Sequence, residues 1–230
     1  MMALATFKGG IHPPDKKDIA KDRAIKEAKS PQRVVIPLSQ HLGAPCKPIV
    51  SIGQEVKKGE VIGEPGGFVS APVHSSVSGK VIAIAEFPNA MGRMVNSIVI
   101  DNDGKEEWTS LKDNPDYIKL SPDELKEKVK AAGIVGMGGA AFPTLVKLSP
   151  PKEKPIDTVI LNGAECEPYL TADYRLMLEK SSDIVEGLKI LMRILGVNKG
   201  FIGIENNKPD AIDKMKDAAK NEPNIEVCGL

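Results

Sequence analysis

Three short apolar runs in the second half of the chain, Ile156 to Leu161, Phe201 to Ile204 and Ile225 to Val227, alternate with two segments of helical period. In the first interval Ile184, Val185, Leu188, Leu191, Met192 and Leu195 recur at the spacing that gives a helix one apolar face, and Gly196 closes the run. In the second, Pro209 to Lys220 collects Ile212, Met215 and Ala219 on one side. Strands joined by helices pair in parallel, because a crossover helix returns the chain to the same end of the sheet. The pattern predicts an α/β fold. In it Ile156–Leu161 is a buried strand, and Ala172–Leu195 is one broken helix or two consecutive ones.

The first half has a different texture. Short β-branched runs cut by glycine and proline, Val34–Ile36, Ile49–Ile52, Val61–Ile62, Gly79–Ile84 and Ser97–Ile100, describe a small all-β module. Four divisions follow: an arm over residues 1–32, the β module over 33–101, a linker over 102–120 and an α/β domain over 121–230. Lys16 to Lys29 is expected to form a short polar helix, and His12 to lie in a loop. Asn102-Asp103-Gly104 and Asn114-Pro115 read as turns. The last division opens on a helix start: Ser121 caps, Pro122 suits the first position and Glu124 completes a capping box. Leu125, Val129 and Ala132 then form an apolar stripe that stops at Gly133.

Composition removes several classes of function. The 230 residues carry 31 basic and 31 acidic side chains, without a basic stripe interleaved with aromatics, so nucleic acid is not an expected partner. The apolar runs are strand-sized, and no direct membrane span is expected. Cys46, Cys166 and Cys228 are far apart with no Cys-x-x-Cys pair, which predicts no metal or iron–sulfur site among these residues.

Three places remain that are able to carry chemistry. Gly133 to Lys147 holds glycines at 133, 136, 138 and 139, two alanines and a terminal lysine. Open backbone amides and a cation are what a phosphate needs, although a tight turn with a solvated lysine has the same composition. Gly136, Gly138 and Ala141 also fit a loosened G-x-G-x-x-A pattern. A dinucleotide fold requires a strand before it, and a helix stands there instead. A new helix is expected near Pro143 or Thr144. The second stretch, Asn162 to Arg175, follows the first α/β strand and holds Glu165 and Glu167. In an extended segment these two point to the same side and suit acid–base work or hydrogen bonds to a cofactor; alternatively one caps the coming helix and the other is solvated. His74 beside Ser75 and Ser76 is a third candidate, for a hydrolase, without an adjacent orienting acid.

Residues 52–81, with Ile52-Gly53-Gln54-Glu55-Val56 and Ser70-Ala71-Pro72-Val73-His74, resemble the barrel-sandwich hybrid fold of biotinyl and lipoyl domains. Those domains carry a modifiable lysine at a hairpin tip, where this chain has Pro65-Gly66-Gly67-Phe68. The module therefore reads as a docking or scaffolding unit. Gly136-Met137-Gly138-Gly139-Ala140-Ala141-Phe142-Pro143-Thr144-Leu145-Val146-Lys147 is similar to the G-x-G-G-A-x-F-P-T-x-x-K loop of the flavin-binding, NADH-oxidising subunit of respiratory complex I. Asn162 to Pro168 resembles that family's N-x-x-E-x-E-P loop. With the β module in front, the chain most resembles the C subunit of the Rnf-type ion-translocating ferredoxin:NAD oxidoreductases.

The resemblance implies noncovalent FMN and NADH as substrate. Gly136, Gly138, Gly139, Ala140, Lys147 and Asn162 would hold the phosphate and ribityl chain, with Glu165 and Glu167 near the flavin and nicotinamide rings. Phe142 would stack on the NADH adenine, and Gly203, Glu205 and Asn206 would form a further flavin contact loop. Met137, Ala141, Ala164 and Leu148 stand where the complex I subunit has arginine, glycine, aspartate and tryptophan, differences that bear on nucleotide preference. The family's 4Fe-4S clusters belong to a C-terminal region, which makes an N-terminal fragment the expectation. The implied function is electron transfer between NAD(H) and iron–sulfur clusters through FMN. It would take place with partner subunits and ferredoxin-type carriers at the cytoplasmic face of a bacterial membrane. A flavin-free docking module is the alternative.

Overall fold

The computed structural model describes residues 14–111 and 116–230; His12 and the Asn114-Pro115 turn lie outside the described residues. The chain forms two compact units, one of residues 28–151 and one of residues 1–27 with 152–230. The helix expected to open the α/β domain thus groups with the β module, and the N-terminal segment groups with the α/β elements.

In the unit of residues 28–151, β1 (Arg33–Pro37), β2 (Lys47–Pro48), β3 (Glu55–Val56), β4 (Val61–Glu64), β5 (Val73–His74), β6 (Gly79–Pro88) and β7 (Met94–Asn102) build two antiparallel sheets. Their orders are β1-β7-β6-β3 and β2-β4-β5. Ile36, Leu38, Val56, Ile62, Val81, Ile98 and Ile100 close the core between them. The Ile49–Ile52 run is not a strand. Gln54 N–H donates to the Ser51 carbonyl at 3.1 Å and Gly53 takes φ 92, so the segment turns; the pairing moves back to β2. Helix α1 (Pro122–Ala131) has the expected capping box, with Ser121 N–H on Glu124 Oε2 at 2.8 Å and Glu124 N–H on Ser121 Oγ at 3.3 Å. Leu125 and Val129 face inward, whereas Ala132 is exposed as the C-terminal cap. Gly133 stops the helix at φ 65, and a Cβ there would lie 2.6 Å from the Pro72 carbonyl oxygen. The short α2 (Thr144–Lys147) begins where Pro143 predicts it.

The other unit is a parallel α/β layer: β8 (Val159–Gly163), α3 (Ala172–Glu179), α4 (Ser181–Leu195), β9 (Gly200–Ile204), α5 (Pro209–Ala219) and β10 (Ile225–Gly229). The strand order is β10-β9-β8, every pair parallel. Ala172–Leu195 is two helices in immediate succession. Met177, Val185, Leu188, Met192, Ile202, Ile204 and Met215 form the core. β9 has the buried run expected of a central parallel strand. β8 does not: it lies at the edge of this sheet, and Ile160 is 68% exposed. The Lys16–Lys29 helix is replaced by one 3-10 turn, Lys17–Ile19, entered from Lys16 at φ 54. Beyond it Arg175 Nη1 donates to the Lys21 carbonyl at 3.2 Å and Ile25 N–H to Glu179 Oε1 at 3.1 Å, so the segment lies along α3 rather than coiling.

Tyr174 joins α3 to α5 by donating its phenol to Asp210 Oδ2 at 2.5 Å. That acceptor, and after it burial, pushes the Tyr174 phenol up to about 12. A folded-state value above the ordinary 10 means the bond contributes stability below pH 10 and loses it as pH rises through about 12. Tyrosine absorbance followed against pH should therefore show the last phenolate to ionise vanishing in Tyr174→Phe. A wild-type curve with all tyrosines titrating together near 10 refutes the assignment. Two truncations test the layer. Leu188→Ala, at a fully buried site, should lower unfolding free energy by about 2–5 kcal/mol, and Ile160→Ala, on the exposed edge, by no more than about 0.5 kcal/mol. Equal losses in denaturant unfolding would put β8 inside the core.

Candidate functional site

In the unit of residues 28–151 the glycine stretch folds as an open hairpin. Gly136 N–H donates to the Phe142 carbonyl at 2.9 Å, Thr144 N–H to the Ile134 carbonyl at 3.0 Å, and Val135 bridges Pro143. The loop is held on the β module, because Leu42 N–H donates to the Ala140 carbonyl at 3.0 Å. His74 Nε2 donates to the Ala131 carbonyl at 3.1 Å and fixes the end of α1. Ser75 gives its hydroxyl to the Val77 carbonyl at 2.6 Å, so the His74–Ser75 hydrolytic reading finds no nucleophile–base contact.

Inside the hairpin the amides of Met137 through Phe142 donate to no acceptor among the described residues. Met137 stands 90% exposed at the tip. Gly138 and Gly139 have no positive φ, and a Cβ on either would meet nothing within 4 Å. Neither conformation nor packing among the described residues demands glycine at these two positions. Bare backbone there suits close approach by something else. Gly136 differs: its Cβ would lie 2.8 Å from Lys147 Nζ, so the ammonium at the end of α2 is folded back over the start of the loop. Ala141 takes φ 49, and Phe142 is half-buried. Beside the loop a cavity of about 350 Å³ is lined by Gly136, Met137, Gly139, His41 and His74 among others, at the small end of ligand pockets.

The second stretch belongs to the other unit. Gly163 ends β8 where a Cβ would come within 2.9 Å of the Gly203 carbonyl oxygen, which excludes any side chain. Asn162 Oδ1 accepts from Ala164 N–H at 2.9 Å and turns the chain out of the strand. The two glutamates then part company. Glu165 is 6% exposed and its Oε1 accepts from Asp173 N–H at 2.8 Å, in the first turn of α3, while Glu167 is exposed. They do not share an environment, and after them the chain turns at Pro168-Tyr169, with Tyr169 at φ 68. The second oxygen, Glu165 Oε2, is buried with no hydrogen-bond partner among the described residues, and Lys17 Nζ stands 3.8 Å from it. At the end of β9, Gly203 is buried and Glu205 is half-buried in a salt bridge with Lys208. Asn206 is exposed, and its backbone N–H donates to the Leu230 carbonyl at 2.9 Å.

FMN asks for donors around a phosphate and fixed polar groups near its ring edges. In the unit of residues 28–151, uncommitted amides beside the Lys147 ammonium meet the first requirement. Sequence reading missed Lys17, which it placed on a solvated helix. Its partners lie about 150 positions away, and no local pattern announces them.

The chain is similar to known proteins along most of its length. Residues 5–105 match the family described as RnfC barrel sandwich hybrid domain, and residues 129–230 the Nuo51 FMN-binding domain. The chain is 51% identical over 226 residues to the C subunit of the Na(+)-translocating ferredoxin:NAD(+) oxidoreductase complex of Acetobacterium woodii, covering 98% of this chain and 51% of that one. The C subunit of the proton-translocating ferredoxin:NAD(+) oxidoreductase complex of Clostridium ljungdahlii is 49% identical, with 99% and 50% covered. The C subunit of the ion-translocating oxidoreductase complex of Pseudomonas aeruginosa is 44% identical, with 97% and 29% covered. The chain spans about half the length, or less, of these curated relatives. With a barrel-sandwich hybrid domain followed by a flavin-type α/β domain, it belongs to the RnfC family, the C subunits of the ion-translocating ferredoxin:NAD oxidoreductase complexes.

Proposed function

We propose that this chain binds FMN and serves electron transfer between NAD(H) and iron–sulfur carriers as part of a membrane-associated ion-translocating oxidoreductase. The observation that carries the reading is the pair Gly138 and Gly139. They are bare without a conformational or packing cause, in a run of six uncommitted amides, with the Lys147 ammonium turned onto the same loop. Amides and ammonium together neutralise a phosphate. Asn162, Gly203, Glu205 and Asn206, at the ends of two neighbouring strands, are assigned to the same cofactor on the strength of their motifs, with Phe142 assigned to the NADH adenine. Glu165 would accept a hydrogen bond in a buried setting, and Glu167 would present an exposed carboxylate to the nucleotide. FMN, when bound, supplies hydride acceptance on one side and single-electron release on the other, which is what joins a nicotinamide to iron–sulfur clusters.

The 4Fe-4S clusters would belong to the C-terminal region that the family resemblance implies, and partner subunits would supply the membrane attachment. No helix among the described residues is long and apolar enough to cross a membrane. A peripheral position at the cytoplasmic face, where NADH and ferredoxin are found, is the proposed location.

Flavin fluorescence quenching tests the reading. Titrated with FMN, the chain should quench with saturation. Lys147→Ala should weaken binding about tenfold through loss of one charge-assisted contact, and Glu167→Gln by a smaller factor. A wild-type chain that leaves FMN fluorescence unchanged would favour the docking module instead.

A further inference from the structure

Lys17 is buried although it sits on a three-residue turn near the start of the described chain; only 10% of its side chain is exposed. Its ammonium donates to the Leu170 carbonyl at 2.6 Å and the Glu167 carbonyl at 3.0 Å, and stands 3.8 Å from the unsatisfied Glu165 Oε2. Nearby, Tyr169 N–H donates to the Asp15 carbonyl at 2.7 Å. Four successive points of the segment 165–170 are therefore tied to residues 15–17. A lone ammonium surrounded by two carbonyls and a carboxylate is a knot that fixes backbone, since each acceptor is costly to leave unpaired once buried.

We propose that Lys17 is the positioning residue of the carboxylate loop. It pins the turn that sends Glu165 inward and Glu167 outward, and gives the buried Glu165 carboxylate its counter-charge, so the loop is preorganised for its ligand. This rests on the reading of that loop as part of a flavin site. In consequence the N-terminal segment is a working part of the α/β unit. A loop held from outside its own sequence loses little entropy on binding, which is the physical benefit of such a pin.

The test uses the full-length protein in two measurements, amide hydrogen exchange and FMN titration, on Lys17→Met, Lys17→Arg, Glu165→Gln and the double variant Lys17→Met/Glu165→Gln. Lys17→Met should speed exchange across residues 164–173 by about tenfold or more while the amides of β9 and α4 keep their rates. FMN binding should weaken by about tenfold, and Lys17→Arg, which keeps charge and donors, should recover most of it. In the Glu165→Gln background the Lys17→Met effect should shrink, because the stranded charge is gone. If Lys17→Met does not fold, the double variant, free of an uncompensated charge, takes its place and should exchange faster across residues 164–173 than Glu165→Gln alone, because the Glu167 and Leu170 carbonyls have lost their donor. Loop exchange unchanged from wild type, or a loss spread evenly over β9 and α4 with additive energies, overturns the proposal. Should wild type take up no FMN while the exchange pattern appears as expected, the flavin reading falls and the pin stands.

Discussion

Parallel register in the three-stranded sheet is the constraint on which the α/β unit depends. Gly163 pairs with Ile204 and Ile204 with Gly229, so β8, β9 and β10 finish at one level. Every connection that leaves this end must turn there before a helix begins, and two such turns carry Asn162–Pro168 and Glu205–Lys208. Close strand approach sets the residue types: Gly163 cannot bear a side chain against the Gly203 carbonyl. Ligand chemistry gathers at the carboxyl ends of such strands because helix starts there supply unpaired amides and the turns are free of the core. In this chain one of those amides, on Asp173, is already taken by Glu165, which links the carboxylate loop to the start of α3.

The unit of residues 28–151 solves a different problem, how to hold six amides in a row away from their own carbonyls. A free glycine-rich loop would collapse onto itself or wander, at an entropic cost on every binding event. Three contacts prevent that: the Gly136–Phe142 bond at the neck, the Leu42–Ala140 bond on one flank and the Gly133 turn against Pro72 at the base. Two of the three come from the β module. The module lacks the lysine of a carrier domain, and in this structure it braces the loop.

Sequence period and turn chemistry made much of the fold legible. The Ser121–Glu124 capping box, the α4 stripe, the Gly133 stop and the parallel β-α-β-α-β order all follow from local rules that tertiary packing does not override. What failed did so for identifiable reasons. Ile49–Ile52 has strand composition, but Gly53 imposes a turn on it. Ile156–Leu161 looks buried because hydrophobicity does not report which strand ends up at a sheet edge. For the candidate site, motif spacing marked both loops as candidates, whereas the contacts of the buried Glu165 are the Asp173 amide and the ammonium of Lys17, the second far away in sequence. A buried lysine with carbonyl partners 150 positions distant leaves no periodic trace.

Burial of Lys17 and Glu165 also bears on why such a pair exists. Desolvating each ion costs several kcal/mol, and at 3.8 Å the pair has no direct hydrogen bond to offset it. An apolar pair of the same volume would hold the two segments together at least as well. Stability alone is then a poor reason for the arrangement. Direction is a better one: the ammonium accepts only oxygens as neighbours and so selects one path for residues 165–170, where an apolar contact would tolerate several. The same selection leaves Glu165 Oε2 with charge compensation but an open hydrogen-bonding site, the condition in which a buried carboxylate gains most from a donor brought by a ligand.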